Sequence, residues 1–333
     1  LAAALAVLAD AFDPRLWQRL SRLDDEAYVA ALHQLMRQQI VVKVGPGRYQ
    51  FSHARLRDAV AGSTPPADRA ELHRRVAEAL AGRLAEHPRL LSTVARHFHE
   101  ADAATEAIDY ALRAADAAEA AGAEWDAFDH LRHAAARLEA GEGEAEGREQ
   151  RLVQIYERVA DYSAAAWTDA ATCLRWLQTA IEHHRARGEG DRAFGLSLAY
   201  VVNCAITSRF DEARARVEAI LSGGQVAPDS LEWAVLYGVG VCLLDWYQGF
   251  QEDCLSHAEA ALAIFAREEA ALPDDIWPAY SWATFWREKG RAYTGRPIDM
   301  DNIELNHRRI DQGRCDLPIY WHTLTAVGAR AAF

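Results

Sequence analysis

Hydrophobic positions recur every three to four residues along most of this chain, which is the spacing of an amphipathic α-helix. An apolar helix opens the chain, and a second one, with Trp17 and Leu20, follows an Asp-Pro start signal. A third helix is predicted over residues 26–39, where Tyr28 and Leu32 lie one turn apart. The pattern therefore predicts three helices before the period changes.

The period then changes to that of β-structure. Residues 40–44 and 49–51 are β-rich runs around a Gly-Pro-Gly turn, which predicts a β-hairpin. The order helix, helix, hairpin, helix is that of a winged helix, a variant of the helix-turn-helix. We predict a winged-helix domain over residues 1–62. Its candidate recognition helix begins Asp24-Asp25-Glu26, so we do not expect it to read DNA and interpret it as a packing module.

From residue 63 onward the pattern is helical almost throughout, with Gly and Pro chiefly between segments. Aromatic residues open helix candidates at Trp125, Trp167, Phe210 and Phe250, at separations of 42, 43 and 40 residues. Such units bury their apolar faces only by stacking on neighbours. The sequence predicts a right-handed α-solenoid of tetratricopeptide-like helix pairs, in units longer than the roughly 34 residues of the standard repeat.

These patterns give an organisation in three parts within a mostly all-α fold that contains one small hairpin. The winged helix covers residues 1–62, a linker helix and the first repeats cover residues 63–147, and the repeat array covers residues 148–333. The acidic, Gly-rich stretch at 141–147 separates the last two parts, and we interpret it as a solvated loop.

Composition narrows the class of protein. Of 333 residues, 50% are hydrophobic and 26% are charged, which is typical of a globular protein with a sizeable core. The net charge of -13 disfavours a nucleic-acid groove, because phosphate binding needs a basic face. We see no membrane span, signal peptide or CxxC pair and expect a cytoplasmic location with buried, reduced thiols. Both ends fall within helical patterns, which leads us to expect a piece of a longer protein.

Two stretches at the junction of the first two parts carry a family resemblance. Residues 51–59 are Phe-Ser-His-Ala-Arg-Leu-Arg-Asp-Ala, and residues 69–80 are Arg-Ala-Glu-Leu-His-Arg-Arg-Val-Ala-Glu-Ala-Leu. They resemble the end of the winged helix and the start of the helical repeats in signal-transduction ATPases with numerous domains, the STAND class. That bacterial class includes LuxR-type transcription activators and ATPase regions attached to cyclases or protein kinases. The rest of the chain resembles it only in architecture.

The resemblance implies the sensor region of a nucleotide-dependent switch. No phosphate-binding loop is present, since the Gly-containing stretch at 290–296 lacks the Lys-Ser/Thr pair. We therefore expect the ATPase domain upstream in the same protein, ATP or ADP bound to the full-length protein, and no cofactor or catalysis in this chain. In related NB-ARC ATPases, a Met-His-Asp motif at this point sets an imidazole against the β-phosphate of ADP.

By this resemblance His53 is the candidate nucleotide sensor, with Arg55 and Arg57 as possible phosphate contacts. Ala54 stands where the family motif has its Asp. The alternative interpretation is structural: His53 caps a helix, and the two arginines are solvated or form interdomain pairs.

Aromatic residues concentrate near the end of the chain, where six of the ten tryptophans lie beyond residue 230. Trp282 and Trp286 are one helical turn apart and share a face. With three neighbours they form the candidate surface for a protein or small-molecule effector, which comprises Trp277, Tyr280, Trp282, Trp286 and Arg287. The alternative is that these rings form the core between repeats.

Histidines are the remaining candidate ligands. His97 and His99 point apart on a helix, whereas His130 and His133 share a face. No cysteine or carboxylate at zinc-site spacing completes that pair, so we expect no metal site. No nucleophile motif is present. The alternative to a sensor region is a tetratricopeptide-like scaffold for protein assembly, without nucleotide switching.

Overall fold

The structure is a computed structural model that describes residues 1–8, 14–161, 163–224 and 226–311. Within this part the chain is mainly helical and contains a single two-stranded sheet, as the sequence predicts. The chain divides into two compact units, Leu1–Leu152 and Val153–Phe333.

The first unit contains eight helices, the hairpin and the start of a ninth helix within the part of the chain that the structure describes. They are α1 (Ala2–Leu8), α2 (Pro14–Ser21), α3 (Asp25–Arg37), β1 (Val41–Gly45), β2 (Arg48–Phe51), α4 (Ala54–Ser63), α5 (Pro66–Ala81), α6 (Leu91–Glu100), α7 (Ala104–Ala120), α8 (Glu124–Glu139) and α9 (Arg148–Arg158), which continues into the second unit.

Local sequence signals set these boundaries. The Asp24 carboxylate caps α3 by accepting a hydrogen bond from the Ala27 amide at 2.8 Å. The strands pair antiparallel, with Val41 opposite Phe51, and both side chains are buried. Pro66 begins α5, where a helix needs no amide donor. The predicted order of helices and hairpin is confirmed.

One buried cluster extends from α1 to the start of α7 in the first unit. Val41 and Phe51 of the hairpin belong to the same buried cluster as Val76 of α5 and Phe98 of α6. The predicted division at residue 62 therefore does not separate two cores. The structural division falls at 152, five residues after the predicted one at 147.

The Gly-rich stretch at 141–147 is exposed at five of its seven residues, as expected of a solvated loop, and is anchored near its start. Arg137 of α8 is buried and pairs with the Glu142 carboxylate at 2.6 Å, and both Glu142 and Gly143 are half-buried. Arg151 of α9 pairs with Asp109 of α7 at 2.8 Å. The first contact anchors the start of the stretch to α8, and the second joins α9 to α7 just after the stretch.

The second unit contains the remaining helices. They are α10 (Ser163–Ala186), α11 (Gly190–Ile206), α12 (Phe210–Ser222), α13 (Leu231–Val235), α14 (Cys242–Gln248), α15 (Gln251–Glu268), α16 (Trp277–Tyr293) and α17 (Met300–Asp311). A π-helical turn, Leu236–Val241, joins α13 to α14, so the chain is helical without a break over residues 231–248.

One type of turn, different from the π-helical turn, connects the helices in five of the helix hairpins. One residue takes a left-handed conformation, with φ between 53° and 84°, and the next amide donates to the carbonyl five residues earlier at 2.8–3.3 Å. This is the Schellman arrangement. The left-handed residues are Asp102, Gly122, Gly188, Ser208 and Gly249.

The spacing of these turns measures the repeat. The N-cap residues of α7 and α8, Ala103 and Ala123, are 20 residues apart, as are those of α11 and α12, Glu189 and Arg209. A helix pair therefore covers about 40 residues, which agrees with the aromatic spacing. Here the period comes from helix length, since a 20-residue step is longer than half of a 34-residue tetratricopeptide unit.

Three of the four aromatic openings coincide with helix starts. Trp125 is the second residue of α8, Phe210 is the first of α12, and Phe250 directly precedes α15. The helix with Trp167 starts earlier and is interrupted at Asp169, whose carboxylate accepts from the Thr172 amide at 3.1 Å. The interruption is thus a second helix start, two residues after the aromatic position.

Buried cysteines agree with the expectation of reduced thiols. Cys173, Cys204, Cys242 and Cys254 are free and buried, and burial raises the pKa of Cys173 and of Cys204 to about 12. Cys315 lies outside the described residues, as do Tyr320 and Trp321 of the aromatic-rich region.

Gly290 marks the closest approach between α15 and α16. A Cβ at this position would lie 3.0 Å from the Leu255 Cβ and 3.4 Å from its Cα. We expect Gly290→Ala to destabilise the second unit by about 1–2 kcal/mol, because overpacking outweighs the gain in helix propensity. Urea unfolding measures the change.

Gly195 in α11 provides the matched control. A Cβ there meets nothing within 4 Å, so Gly195→Ala is expected to leave stability unchanged or raise it by up to about 1 kcal/mol. Equal effects at both positions would show that the contact with Leu255 does not limit the helix spacing.

Candidate functional site

The predicted nucleotide-sensing residues lie at the start of α4, directly after the hairpin. His53 is the N-cap residue, but its side chain makes no capping hydrogen bond, and both His53 and Arg55 are exposed. The Arg57 guanidinium pairs with the neighbouring Asp58 at 3.0 Å. The imidazole is therefore at the cap position without acting as the cap. Two of the three side chains face solvent.

The opposite side of α4 is built into the core. Leu56 and Val60 pack against the buried cluster that also contains Val76 and Leu80 of α5. The helix thus presents polar residues outward and anchors itself through the aliphatic ones. This arrangement fixes His53 relative to α5, which begins the helical pairs.

The predicted effector surface is mostly core. Trp277 is 5% exposed and Tyr280 is 7% exposed, and both pack with Phe265 of α15, whose ring stacks on Tyr280 with centroids 5.3 Å apart. Trp286 is 3% exposed. The prediction that these three rings form an open surface is wrong, because the apolar face of α16 is turned toward α15 and the π-helical turn.

Arg287 is also turned inward. Its Nε lies 2.6 Å from Glu288 Oε1, and Glu288 is fully buried. The second Glu288 oxygen accepts from the Asp299 amide at 2.8 Å, and Arg291 approaches the first at 3.7 Å. Arg287 therefore joins α16 to the segment before α17 and is not available to an effector.

Trp282 and Trp286 do share one face of α16, as predicted. Their rings stack with centroids 5.8 Å apart at 20°, and Trp246 of α14 lies 5.8 Å from Trp286. Trp282 and Trp246 are only half-buried, and Tyr293 is 56% exposed with its ring 4.7 Å from Trp246. The accessible aromatic surface is thus at the α14–α16 contact rather than at the start of α16.

Lys289 completes this aromatic cluster, and the sequence reasoning missed it. Its Nζ lies 4.1 Å from the centroid of Trp246 and 5.1 Å from those of Phe285 and Trp286. Burial lowers the pKa of its ammonium. The sequence spacing could have indicated Lys289, because it lies three residues after Trp286 and residues three apart share a helix face.

The first unit contains a cleft between α6, α7 and α8 that the sequence analysis did not predict. It is a cleft of ≈ 460 Å³ with small alanines among its lining residues and a polar remainder that includes His99, His130 and His133. His130 Nε2 lies 3.1 Å from Ser92 Oγ, and Arg137 Nε donates to His99 Nδ1 at 3.3 Å. Burial lowers the pKa of His99 and of His130, so both rings are neutral hydrogen-bonding groups near pH 7.

The neighbouring histidines divide as the helical spacing predicts. His99 faces the cleft, whereas His97 faces the interior, where its Nδ1 lies 2.9 Å from that of His73. Among the described residues, no three His, Cys, Asp or Glu side chains are grouped to hold a metal ion. In the same part of the chain, no helix is long and apolar enough to cross a membrane.

Comparison with known proteins gives one distant similarity. No family model and no curated protein matches this chain. Among solved structures, the chain is similar to a Signal Transduction ATPase with Numerous Domains (STAND) protein with a tetratricopeptide repeat sensor from Pyrococcus horikoshii, at 11% identity and a TM-score of 0.40. The similarity covers 100% of this chain and 62% of that one, so this chain spans less than two thirds of its length. At this level the similarity supports no conclusion about function.

Proposed function

We propose that this chain is the non-catalytic regulatory and sensor region of a longer STAND-class signal-transduction ATPase. Its helical pairs bind a protein or small-molecule effector, and the hairpin and α2–α4 act as a winged helix that couples binding to a nucleotide-bound switch. The observation that carries the proposal is the continuous core from Phe51 through Val76 to Phe98, with His53 exposed beside it. A shift of the first helical pairs would move α4 with them, because close-packed cores transmit displacement.

His53 is the nucleotide sensor in this proposal. An imidazole at the open start of a helix donates a hydrogen bond to phosphate, and the helix amides favour the same negative charge. Arg55 is exposed and adds a cation, whereas Arg57 reaches phosphate only after leaving Asp58. In this proposal an ATPase domain of the same protein binds the ATP or ADP that His53 contacts.

Switching is a shift of populations between a closed, ADP-bound state and an open state. The effector must bind the open state better, since equal affinity for both states shifts nothing. The helical pairs therefore act through differential binding. This chain needs no catalytic group for that role.

The test is ADP retention by the full-length protein, purified as wild type and as His53→Ala from effector-free cells. We expect wild type to co-purify with ADP and the variant to lose or exchange it at least about tenfold faster, the worth of one charge-assisted hydrogen bond. Nucleotide content after gel filtration and the rate of exchange for labelled ADP are measured.

His33→Ala is the matched control, because His33 is an exposed histidine on α3 of the same unit. It should retain ADP like wild type. Equal retention by wild type and His53→Ala would assign His53 a structural role.

The cleft between α6 and α8 favours a second candidate function, a scaffold that assembles protein partners without switching. Its hydroxyl and neutral imidazole groups suit the backbone of a bound peptide. This function predicts that no form of the full-length protein retains ADP. The His53→Ala experiment thus separates the two candidates.

A further inference from the structure

Lysine is almost absent from this chain. It has 34 arginines and two lysines, Lys43 in the hairpin and Lys289 in α16. Arginine is the commoner partner of aromatic rings in cation–π contacts. A lysine in contact with aromatic rings is therefore unusual in this arginine-rich sequence. Lys289 is such a lysine, and the rings beside it form an aromatic cluster of Trp246, Trp282, Phe285 and Trp286.

The Lys289 ammonium has rings around it but no acceptor. Within the described residues no carboxylate lies at ion-pair distance from its Nζ. The adjacent Glu288 is bound on the other side by Arg287 and by the Asp299 amide. Arg291, the next cation along the helix, pairs with Glu259 at 3.3 Å. Lys289 is thus a half-buried positive charge without a counter-charge.

A second donor in the same cluster is also unsatisfied. The indole Nε1 of Trp286 is buried and has no hydrogen-bond partner within the described part of the chain. Its ring centroid is 5.1 Å from Lys289 Nζ. Buried donors without acceptors are rare in folded proteins and cost stability. Trp286 Nε1 is such a donor, and the half-buried Lys289 ammonium beside it has no carboxylate partner among the described residues, so the cluster favours a ligand that brings an acceptor for the ammonium.

The cluster is open on one side. Trp246 and Trp282 are half-buried, and Tyr293 beside Trp246 is exposed. Flat aromatic faces at a partly open site pack well against another ring. A ligand cation is disfavoured, because the protein's own ammonium already lies over these rings.

We propose that the Lys289 cluster binds a small aromatic carboxylic acid, whose carboxylate pairs with the Lys289 ammonium while its ring packs on Trp246 and Trp282. This deepens the proposed sensor function, because it names the chemical class of the effector, and in that respect it rests on it. The site differs from the predicted surface, because it uses Trp246 and Lys289 in place of Trp277, Tyr280 and Arg287.

Isothermal titration calorimetry with two matched probes tests the carboxylate. N-acetyltryptophan carries the carboxylate, and N-acetyltryptophanamide has the same ring without it. We expect the acid to bind the 333-residue chain at least about tenfold more tightly than the amide, which corresponds to one charge-assisted hydrogen bond. Lys289→Met should remove this preference, and Lys43→Met, at an exposed lysine of the hairpin, should keep it.

A second measurement uses the unmodified protein and does not depend on whether a variant folds. With only two lysines, acetic anhydride labelling followed by mass spectrometry compares Lys289 with Lys43 in one sample. N-acetyltryptophan should slow acetylation of Lys289 severalfold and leave Lys43 unchanged. At the same concentration the amide should slow acetylation of Lys289 less than the acid does and should leave Lys43 unchanged.

Three results would overturn the proposal: no binding of the acid at millimolar concentration, equal binding of acid and amide, or tighter binding of tryptamine than of the acid. None of them affects ADP retention by the full-length protein. If the acid shows no preference for Lys289 but ADP retention depends on His53, only this ligand class is rejected. If the acid binds through Lys289 but ADP retention does not depend on His53, only the nucleotide switch is rejected.

Discussion

Replacing Glu288 by glutamine is expected to destabilise the second unit by about 3 kcal/mol, the cost of leaving a buried ion pair without one partner. Glu288 is fully buried on α16, and its carboxylate receives the Arg287 guanidinium at 2.6 Å and the Asp299 amide at 2.8 Å. The glutamine side chain keeps the shape but leaves the half-buried Arg287 charge with only the longer contact to Asp299, at 3.8 Å, among the carboxylates of the described residues. Urea unfolding of the 333-residue chain, followed by tryptophan fluorescence, measures the loss.

Glu259→Gln is the control, because Glu259 pairs with the same helix through Arg291 at 3.3 Å but is exposed. Exposed ion pairs contribute little, so this variant should change stability by less than about 0.5 kcal/mol. If the two variants were equally stable, the Glu288 carboxylate would not join α16 to the segment before α17.

Lowering the pH from 7.5 to 5 is expected to destabilise the first unit by about 2 kcal/mol through His97 alone. His97 is buried on α6, and burial, followed by the Arg96 and His73 charges, lowers its pKa from 6.5 to about 3. The unfolded chain therefore binds a proton in this window that the folded chain does not, so stability is present above pH 6.5 and is lost toward pH 3. The geometry agrees: Arg96 donates to His97 Nε2, which leaves Nδ1–H to donate to His73.

A variant that cannot titrate tests this. His97→Asn keeps a donor toward His73 and should flatten the dependence on pH between 7.5 and 5, at some cost in stability at pH 7.5. His33→Asn, at an exposed position of α3, should leave the dependence as in wild type. Burial also lowers the pKa of His73, which faces Glu100, Arg96 and Arg69, so His73→Asn should flatten the dependence in the same direction. An unchanged slope in His97→Asn would contradict the assignment.

Local patterns in the sequence determined the elements of this protein. Helix periodicity, the β-rich runs around a Gly-Pro-Gly turn, and cap signals such as Asp24 depend on residues within a few positions of one another. The repeat length could be predicted for the same reason, because each aromatic opening at Trp125, Phe210 and Phe250 marks a helix start. The divergent directions of His97 and His99 also followed from helix geometry alone.

Only the tertiary structure decided which polar and aromatic side chains are accessible. The sequence placed Trp282 and Trp286 on one face of α16, but it did not show that α15 covers most of that helix, which buries Trp286 and leaves Trp282 half-exposed. Lys289 acquired its surroundings from Trp246, a residue 43 positions away on another helix. Burial and charge pairing depend on contacts between distant segments, whereas periodicity depends on neighbours. The sequence by itself therefore determined the helices, the hairpin and the repeat length, and packing between helices decided which side chains are accessible.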